Sequence, residues 1–229
     1  MLRERILHRR FRARGPWQTL FRIDGEGYGG WRDYTGDNRL SDFADRFPPC
    51  RVLELGCLEG GHTVELARRG YTVTAVEGRA DNAARARWVL GLLDADAEVI
   101  HANLEVVPLL DFGHFDVVYC AGLLYHLPKP WLLIQQCAEV APALFVSTHV
   151  AETEEVIVED RPGRWYQEYG LEDRLSGMSS RSFWFTTEAL LAELRSVYER
   201  VEVVREDEID AGPLVSAAAW TGVAATRGL

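Results

Sequence analysis

The stretch Arg51 to Gly61, RVLELGCLEGG, constrains this chain more than any other. Val52-Leu53-Glu54-Leu55 is an apolar run of strand length, and a glycine turn closes it. Gly60 to Gly70 then reads as a helix that stops at Gly70. Strand, glycine turn and helix form the nucleotide-cofactor arrangement of doubly wound α/β folds. Glycine lets the backbone approach a ligand, and the helix N-terminus offers free N–H groups. A dinucleotide fingerprint G-x-G-x-x-G starting at Gly56 needs glycine at position 58, where Leu58 stands. Glu54, two positions before Gly56, would repel a pyrophosphate and suits a ligand with an ammonium group. The same residues also fit a plain β-turn-α unit with a tight turn.

Further β and α segments follow in alternation. Tyr71–Glu77 reads as a second strand, and Glu77 lies 21 residues after Gly56, where a second strand delivers a carboxylate to a ribose diol. Asp81 is placed to cap a helix over Asn82–Leu93, with Ala84, Trp88 and Leu92 on one face. Ala97–His101, Phe115–Cys120 and Ala143–Thr148 read as strands, and Pro130 opens a helix over Trp131–Val140. Thr187 is placed to cap a helix carrying Leu190, Leu194 and Val197. Val201–Val204 and Leu214–Ala224 read as two closing strands joined by an acidic turn. Residues 1–14 hold six arginines against one glutamate and read as a solvated helix docked through Leu2, Ile6 and Phe11. Gly-rich and aromatic residues 15–49 read as loop, with a short helix from Ser41 to Phe47.

Glu54-Leu55-Gly56-Cys57-Leu58-Glu59-Gly60 resembles motif I of the class I methyltransferases that use S-adenosylmethionine (SAM), E/D-x-G-x-G-x-G, with Leu58 for the middle glycine. The run F-D-V-V-x-C-x-G-x-L-Y-H-L-x-x-P over Phe115–Pro130 resembles their motif IV. The resemblance implies an α/β fold, a doubly wound, mostly parallel, seven-stranded Rossmann-like sheet with an antiparallel last strand. It implies SAM as cofactor, which carries an ammonium and no phosphate. The cofactor-binding residues it implies are Glu54, Gly56, Cys57, Gly60, Glu77, Gly78, Asn103, Leu104 and Cys120. Tyr34 joins them from the segment ahead of the first sheet strand.

Methyl transfer from a sulfonium needs orientation and a dry site rather than a dedicated nucleophile; a base helps when the acceptor is a hydroxyl or a carbon acid and is less needed for an amine or thiol. Ligands bind past the carboxyl ends of strands in such sheets. His126 and His149, after the fourth and fifth strands, are therefore the candidate catalytic residues, with Tyr125 beside them. Residues 149–185 are too long for a neutral connection and carry aromatics and arginines. They are expected to form a lid over the substrate site. Tyr125, Trp165, Tyr166, Arg164, Arg181 and Trp184 are the candidate substrate contacts. No H-E-x-x-H, phosphate loop or Ser-His-Asp order indicates a metal or a hydrolase. The four cysteines form no C-x-x-C.

The 229 residues suit a single domain, 50–229, preceded by a cover over 1–49. A net charge of −10 disfavours a broad grip on nucleic acid. No apolar run spans a membrane, so a cytoplasmic protein is expected. The expected reaction is methylation of a small molecule at an oxygen, nitrogen or carbon atom. From Gly122 to Val204 the chain is also similar to the tRNA wobble-uridine carboxymethyl-transferring group, in L-Y-H, S-T-H-V-A-E-T-E-E and P-G-R-W-Y…S-F-W-F-T-T-E-A-L-L. A tRNA-modifying enzyme using carboxy-SAM is therefore the alternative. A non-catalytic SAM-fold partner protein is a third reading, motivated by Leu58.

Overall fold

Helix α1 (Leu2–Arg12) begins the chain in the computed structural model, which describes residues 2–209 and 212–221. Its docked face is Leu7 and Phe11, an i,i+4 pair, whereas Leu2 and Ile6 are exposed. The expected face therefore holds only at Phe11, whose ring lies 4.9 to 6.1 Å from those of Trp17, Phe21, Tyr28 and Trp88. The region expected as loop folds into a small sheet. Strands β1 (Thr19–Ile23) and β2 (Glu26–Gly29) pair as a hairpin, and β3 (Arg32–Asp33) lies parallel to β1. The hairpin turns at Asp24-Gly25, both at positive φ, the backbone that two-residue hairpin loops require. Helix α2 (Asn38–Ala44) is capped by Asp37, whose carboxylate accepts from the Arg39 N–H.

The chain forms two units, one through Ala102 and one from Asn103. The first continues through β4 (Arg51–Leu55), α3 (Gly61–Arg68), β5 (Thr72–Glu77), α4 (Ala80–Leu93) and β6 (Ala97–His101). β4, β5 and β6 are parallel neighbours in that order. The α4 core face is Ala83, Ala86, Val89 and Leu90, and Ala84 is exposed. Trp88 points elsewhere, under Phe11 and the Arg14 guanidinium at 4.3 Å. The helix thus serves two neighbours, and a single i,i+4 line describes only one of them. Asp81 lies in its first turn and Arg79 takes the cap position.

The second unit holds β7 (Val117–Ala121), α5 (Pro130–Val140) and β8 (Ala143–His149), with β7 parallel to β8 and every β8 residue buried. After β8 comes an antiparallel sheet of β9 (Val156–Val158), β10 (Arg161–Gln167) and β11 (Arg181–Phe185). Helix α6 (Thr187–Val197) is capped by Thr186, one residue earlier than expected, its hydroxyl accepting from the Ala189 N–H. β12 (Arg200–Ile209) and β13 (Gly212–Trp220) pair antiparallel, and β13 runs against β8. The acidic residues Glu206 and Asp207 are strand residues opposite Val215 and Leu214. Residues 222–224 of the expected last strand lie outside the described residues.

The main sheet has seven strands, three from the first unit and four from the second, and β13 is the antiparallel one. This is the doubly wound, mostly parallel α/β class. Among the described residues no helix is long and apolar enough to cross a membrane.

Candidate active site

In the first unit, β4 ends at Leu55 and the chain turns sharply. Gly56 and Gly60 take φ of 76° and 85°, and Leu58, between them, takes 53°. Left-handed backbone costs a non-glycine residue about 1–2 kcal/mol. Leu58 thus adopts the conformation that a glycine there would supply, and the substitution leaves the turn intact. The N–H groups of Gly56 and Cys57 both donate to the Val76 carbonyl, tying the loop to β5. The Leu58 N–H donates to Glu77 Oε2 at 2.9 Å, and the Arg79 N–H donates to Oε1 at 2.9 Å. Gly78 follows, its carbonyl 3.2 Å from His101 Nε2.

Glu54 and Glu77 are both buried at the ends of neighbouring strands. Glu54 is 2% exposed, and its Oε2 has no hydrogen-bond partner. Burial pushes its carboxyl up to about 7, the Thr63 hydroxyl partly offsets this, and the Glu77 carboxylate adds to it. Glu77 is raised by burial, against the lowering pull of the Arg79 and Leu58 N–H groups. Two neighbouring carboxyls, one with an orphaned oxygen, suit a ligand that brings an ammonium and hydroxyls. Cys57 is buried, and burial together with these two carboxyls pushes its thiol well up, so it is no thiolate nucleophile.

Tyr34 packs over the start of α3. Its ring centroid is 4.6 Å from that of His62, and a Cβ on Gly61 would run into the ring. Glu59, unassigned in the sequence, is fully buried. Its Oε2 accepts from the N–H groups of Gln18 and Thr19 at 2.8 and 2.7 Å. The glycine loop is thus anchored to β1. No spacing rule pairs positions forty residues apart.

In the second unit, Asn103 uses its side-chain oxygen to accept from the Glu105 N–H at 2.9 Å, a local turn, and Leu104 is buried. Cys120 is buried in β7, where burial pushes its thiol to about 12. Tyr125, His126, His149 and Trp184 come together there. Tyr125 has its ring centroid 4.1 Å from His126, 4.7 Å from His149 and 5.9 Å from Trp184. Trp184 stacks on His149 at 5.1 Å and on Tyr166 at 4.6 Å, and the Arg164 guanidinium lies 4.5 Å from its centroid. The Trp184 indole N–H donates to the Tyr125 carbonyl, pinning β11 to the loop after β7. Strand alternation sends the other two candidates to the opposite face of the hairpin. Arg181 covers Trp165 there at 4.0 Å, and Trp165 meets Phe183.

Sequence reasoning missed Glu168, which is 2% exposed. Its Oε1 lies 2.9 Å from His126 Nδ1 and accepts from Ser182 Oγ at 2.8 Å. Its Oε2 accepts from the Gly177 N–H at 2.7 Å and from the Ser176 hydroxyl. Burial alone would raise this carboxyl, but His126, Ser176 and Gly177 together hold it down at about 2. His149 is also lowered, which for an imidazole favours the neutral form. Burial lowers it, while a contact from Nδ1 to the Pro213 carbonyl at 3.3 Å opposes the shift.

Residues 53–142 match the family described as methyltransferase domain. The ubiquinone biosynthesis O-methyltransferase of Xanthomonas campestris pv. campestris (strain B100) is 33% identical over 106 residues, covering 44% of each chain. Its counterpart from Cronobacter sakazakii (strain ATCC BAA-894) is 33% identical over 92 residues, 39% of this chain and 37% of that one. The matched stretch therefore spans less than half the length of these relatives. The N-terminal domain of EvdMO1 with SAH bound has a TM-score of 0.85 at 30% identity, over 96% of this chain and 97% of that one. Magnesium protoporphyrin IX methyltransferase (ChlM) from Synechocystis PCC 6803 with bound SAM shares the fold, with a TM-score of 0.57 at 16% identity over 81% and 77%. A buried acid and a positive-φ turn at motif I, a seven-stranded sheet, and a near-full-length match to an SAH-bound domain agree: the chain belongs to the class I SAM-dependent methyltransferases.

Proposed function

We propose that this chain transfers a methyl group from SAM to a hydroxyl oxygen of a small, ring-bearing molecule, with His126 accepting the hydroxyl proton. The observation that carries this reading is the grouping of His126 with Tyr125, Tyr166 and Trp184. It sets a basic ring nitrogen beside an aromatic wall of the kind that holds a small ligand. The names of the relatives support it: the curated ones are O-methyltransferases, and the EvdMO1 domain was also crystallised in the presence of SAH and D-fucose.

In this reading Glu54 takes the cofactor's ammonium, the Gly56–Gly60 turn allows close backbone approach, and Glu77 accepts from the ribose hydroxyls. Cys57, Gly78, Asn103, Leu104, Cys120 and Tyr34 complete the proposed cofactor contacts. SAM, when bound, supplies a methyl on a sulfonium, so the new C–O bond forms as the S–CH3 bond breaks and its electron pair stays on sulfur. The hydroxyl proton goes to His126 Nε2. Tyr125, Tyr166, Trp184 and Arg164 are the proposed acceptor contacts. Trp165 and Arg181 support the hairpin from its other face. The insertion of residues 149–185 serves as the acceptor side of the site, and the surroundings of a soluble enzyme are proposed to be the cytoplasm.

The test is methyl transfer from labelled SAM to a panel of sugars and phenols, with SAM affinity measured by calorimetry. His126→Ala should slow turnover at least a hundredfold, the low end for a lost general base, and leave SAM affinity within twofold. Full turnover in that variant refutes the base role. Methylation of amines but not of hydroxyls refutes the acceptor class.

A further inference from the structure

Glu168 belongs to the insertion between β8 and α6, 42 residues from His126 in sequence. Four donors surround its carboxylate: the Ser182 and Ser176 hydroxyls, the Gly177 N–H and the His126 ring. The two oxygens of an ionised carboxylate have about four acceptor sites. A carboxylate so filled, and ionised throughout the neutral range, has no proton to give. The nitrogen facing it must therefore carry the ring's hydrogen. Nδ1–H is the donor, and the lone pair of Nε2 is left over. Holding the loop together does not need the histidine, since two serines and a backbone N–H already engage the carboxylate. Gly177 is also fitted to the pair, because a Cβ there would collide with the His126 carbonyl.

His149 supplies the contrast. Its Nδ1 faces the Pro213 carbonyl, a neutral acceptor at 3.3 Å. The neighbouring charges of His126 and Arg164 oppose an imidazolium there, and its ring is stacked on Trp184. The titratable groups facing His126 are Glu168 from the insertion, Tyr125 beside it and His149 from the end of β8. Of these, Glu168 brings the negative charge.

We propose that Glu168 is a positioning residue for methyl transfer: it takes the Nδ1–H of His126, presents Nε2 as the proton acceptor, and balances the positive charge that proton transfer creates. This rests on the reading that His126 receives the acceptor's proton. It adds that the insertion supplies half of the base, so the segment after β8 is part of the chemistry as well as its cover. The same logic operates wherever a buried carboxylate holds an imidazole in one tautomer.

The tautomer can be read without knowing the acceptor. Long-range 1H–15N correlation spectra of the whole protein, with His126 assigned through His126→Asn, should show His126 protonated at Nδ1 and bare at Nε2. Glu168→Gln should mix the two tautomers and slow diethyl pyrocarbonate labelling of His126, mapped by mass spectrometry, at least threefold. Labelling of His101 should not change. A wild-type spectrum with the hydrogen on Nε2 overturns the proposal outright and needs no variant to fold. An unchanged tautomer and labelling rate in folded Glu168→Gln overturn it as well. The base reading is judged separately, by the turnover of His126→Ala.

Discussion

Glu54 offers the sharpest test of the proposed cofactor site, because burial makes its charge costly. Its carboxyl is buried, one oxygen has no partner, and its titration lies at about 7 against an ordinary 4.5. An acid raised in the folded state costs nothing at pH below 4.5, where both states hold the proton. The cost grows as pH climbs from 4.5 to 7 and is complete above 7. At about 1.4 kcal/mol per pH unit the full penalty is about 3 kcal/mol. Glu54→Gln removes the charge and keeps the shape. It should therefore stabilise the cofactor-free protein at pH 8 by about 3 kcal/mol, or about 6–12 °C in Tm for a chain of this size. At pH 4.5 the two proteins should melt together. SAM should offset this gain. In the proposed site its ammonium relieves the charge only in the wild type, so saturating SAM at pH 8 should raise the wild-type Tm by more than that of the variant. Calorimetric melts at the two pH values, with and without SAM, measure all four quantities. An equal gain for the variant at both pH values, or no gain at pH 8, refutes the reasoning.

Two further outcomes follow from backbone and charge. Leu58 sits at a φ of 53°, so Leu58→Gly should be more stable than Leu58→Ala by about 1 kcal/mol. The left-handed strain that Ala retains outweighs the added chain entropy of glycine. Urea unfolding of the pair measures this, and a more stable Ala variant refutes it. Glu168 is displaced in the opposite sense to Glu54, down to about 2. Its contribution is present above pH 4.5 and is lost as pH falls towards 2. Glu168→Gln should thus cost about 3 kcal/mol at pH 7, and the gap to the wild type should narrow by pH 3.

The sheet was readable because its strands announce themselves locally. Val52–Leu55, Val73–Val76 and Ala143–Val146 are apolar runs bounded by turns, and the glycines of 56–60 mark the turn that leaves β4. The grouping of Tyr125, His126 and His149 was also within reach, since topology alone carries the ends of β7 and β8 to one edge. What stayed hidden depends on pairings with no local period. Glu168 reads in sequence as one acid among many in an insertion, and only the fold brings Ser176, Gly177, Ser182 and His126 around it. The β1–β2 hairpin was masked by glycines that look like loop, although Asp24-Gly25 is a hairpin turn signal. α1 was assigned the wrong face because six arginines in fourteen residues blur the apolar stripe, and Leu7, not Ile6, completes the pair with Phe11.

The anchoring of β1 by Glu59 also bears on where this protein can be cut. A boundary drawn at residue 50, just ahead of β4, looks natural on the sequence and would leave every strand of the seven-stranded sheet in place. It would also delete Gln18 and Thr19, the two N–H groups that hold a carboxylate of zero exposure. The shortened chain would then carry a buried carboxyl stripped of both donors inside its glycine turn. Admitting water or opening the turn would each deform the proposed SAM site. The first fifty residues are better treated as an integral wall of the glycine loop than as a removable preface, and a minimal fragment that keeps Glu59 paired has to begin ahead of β1.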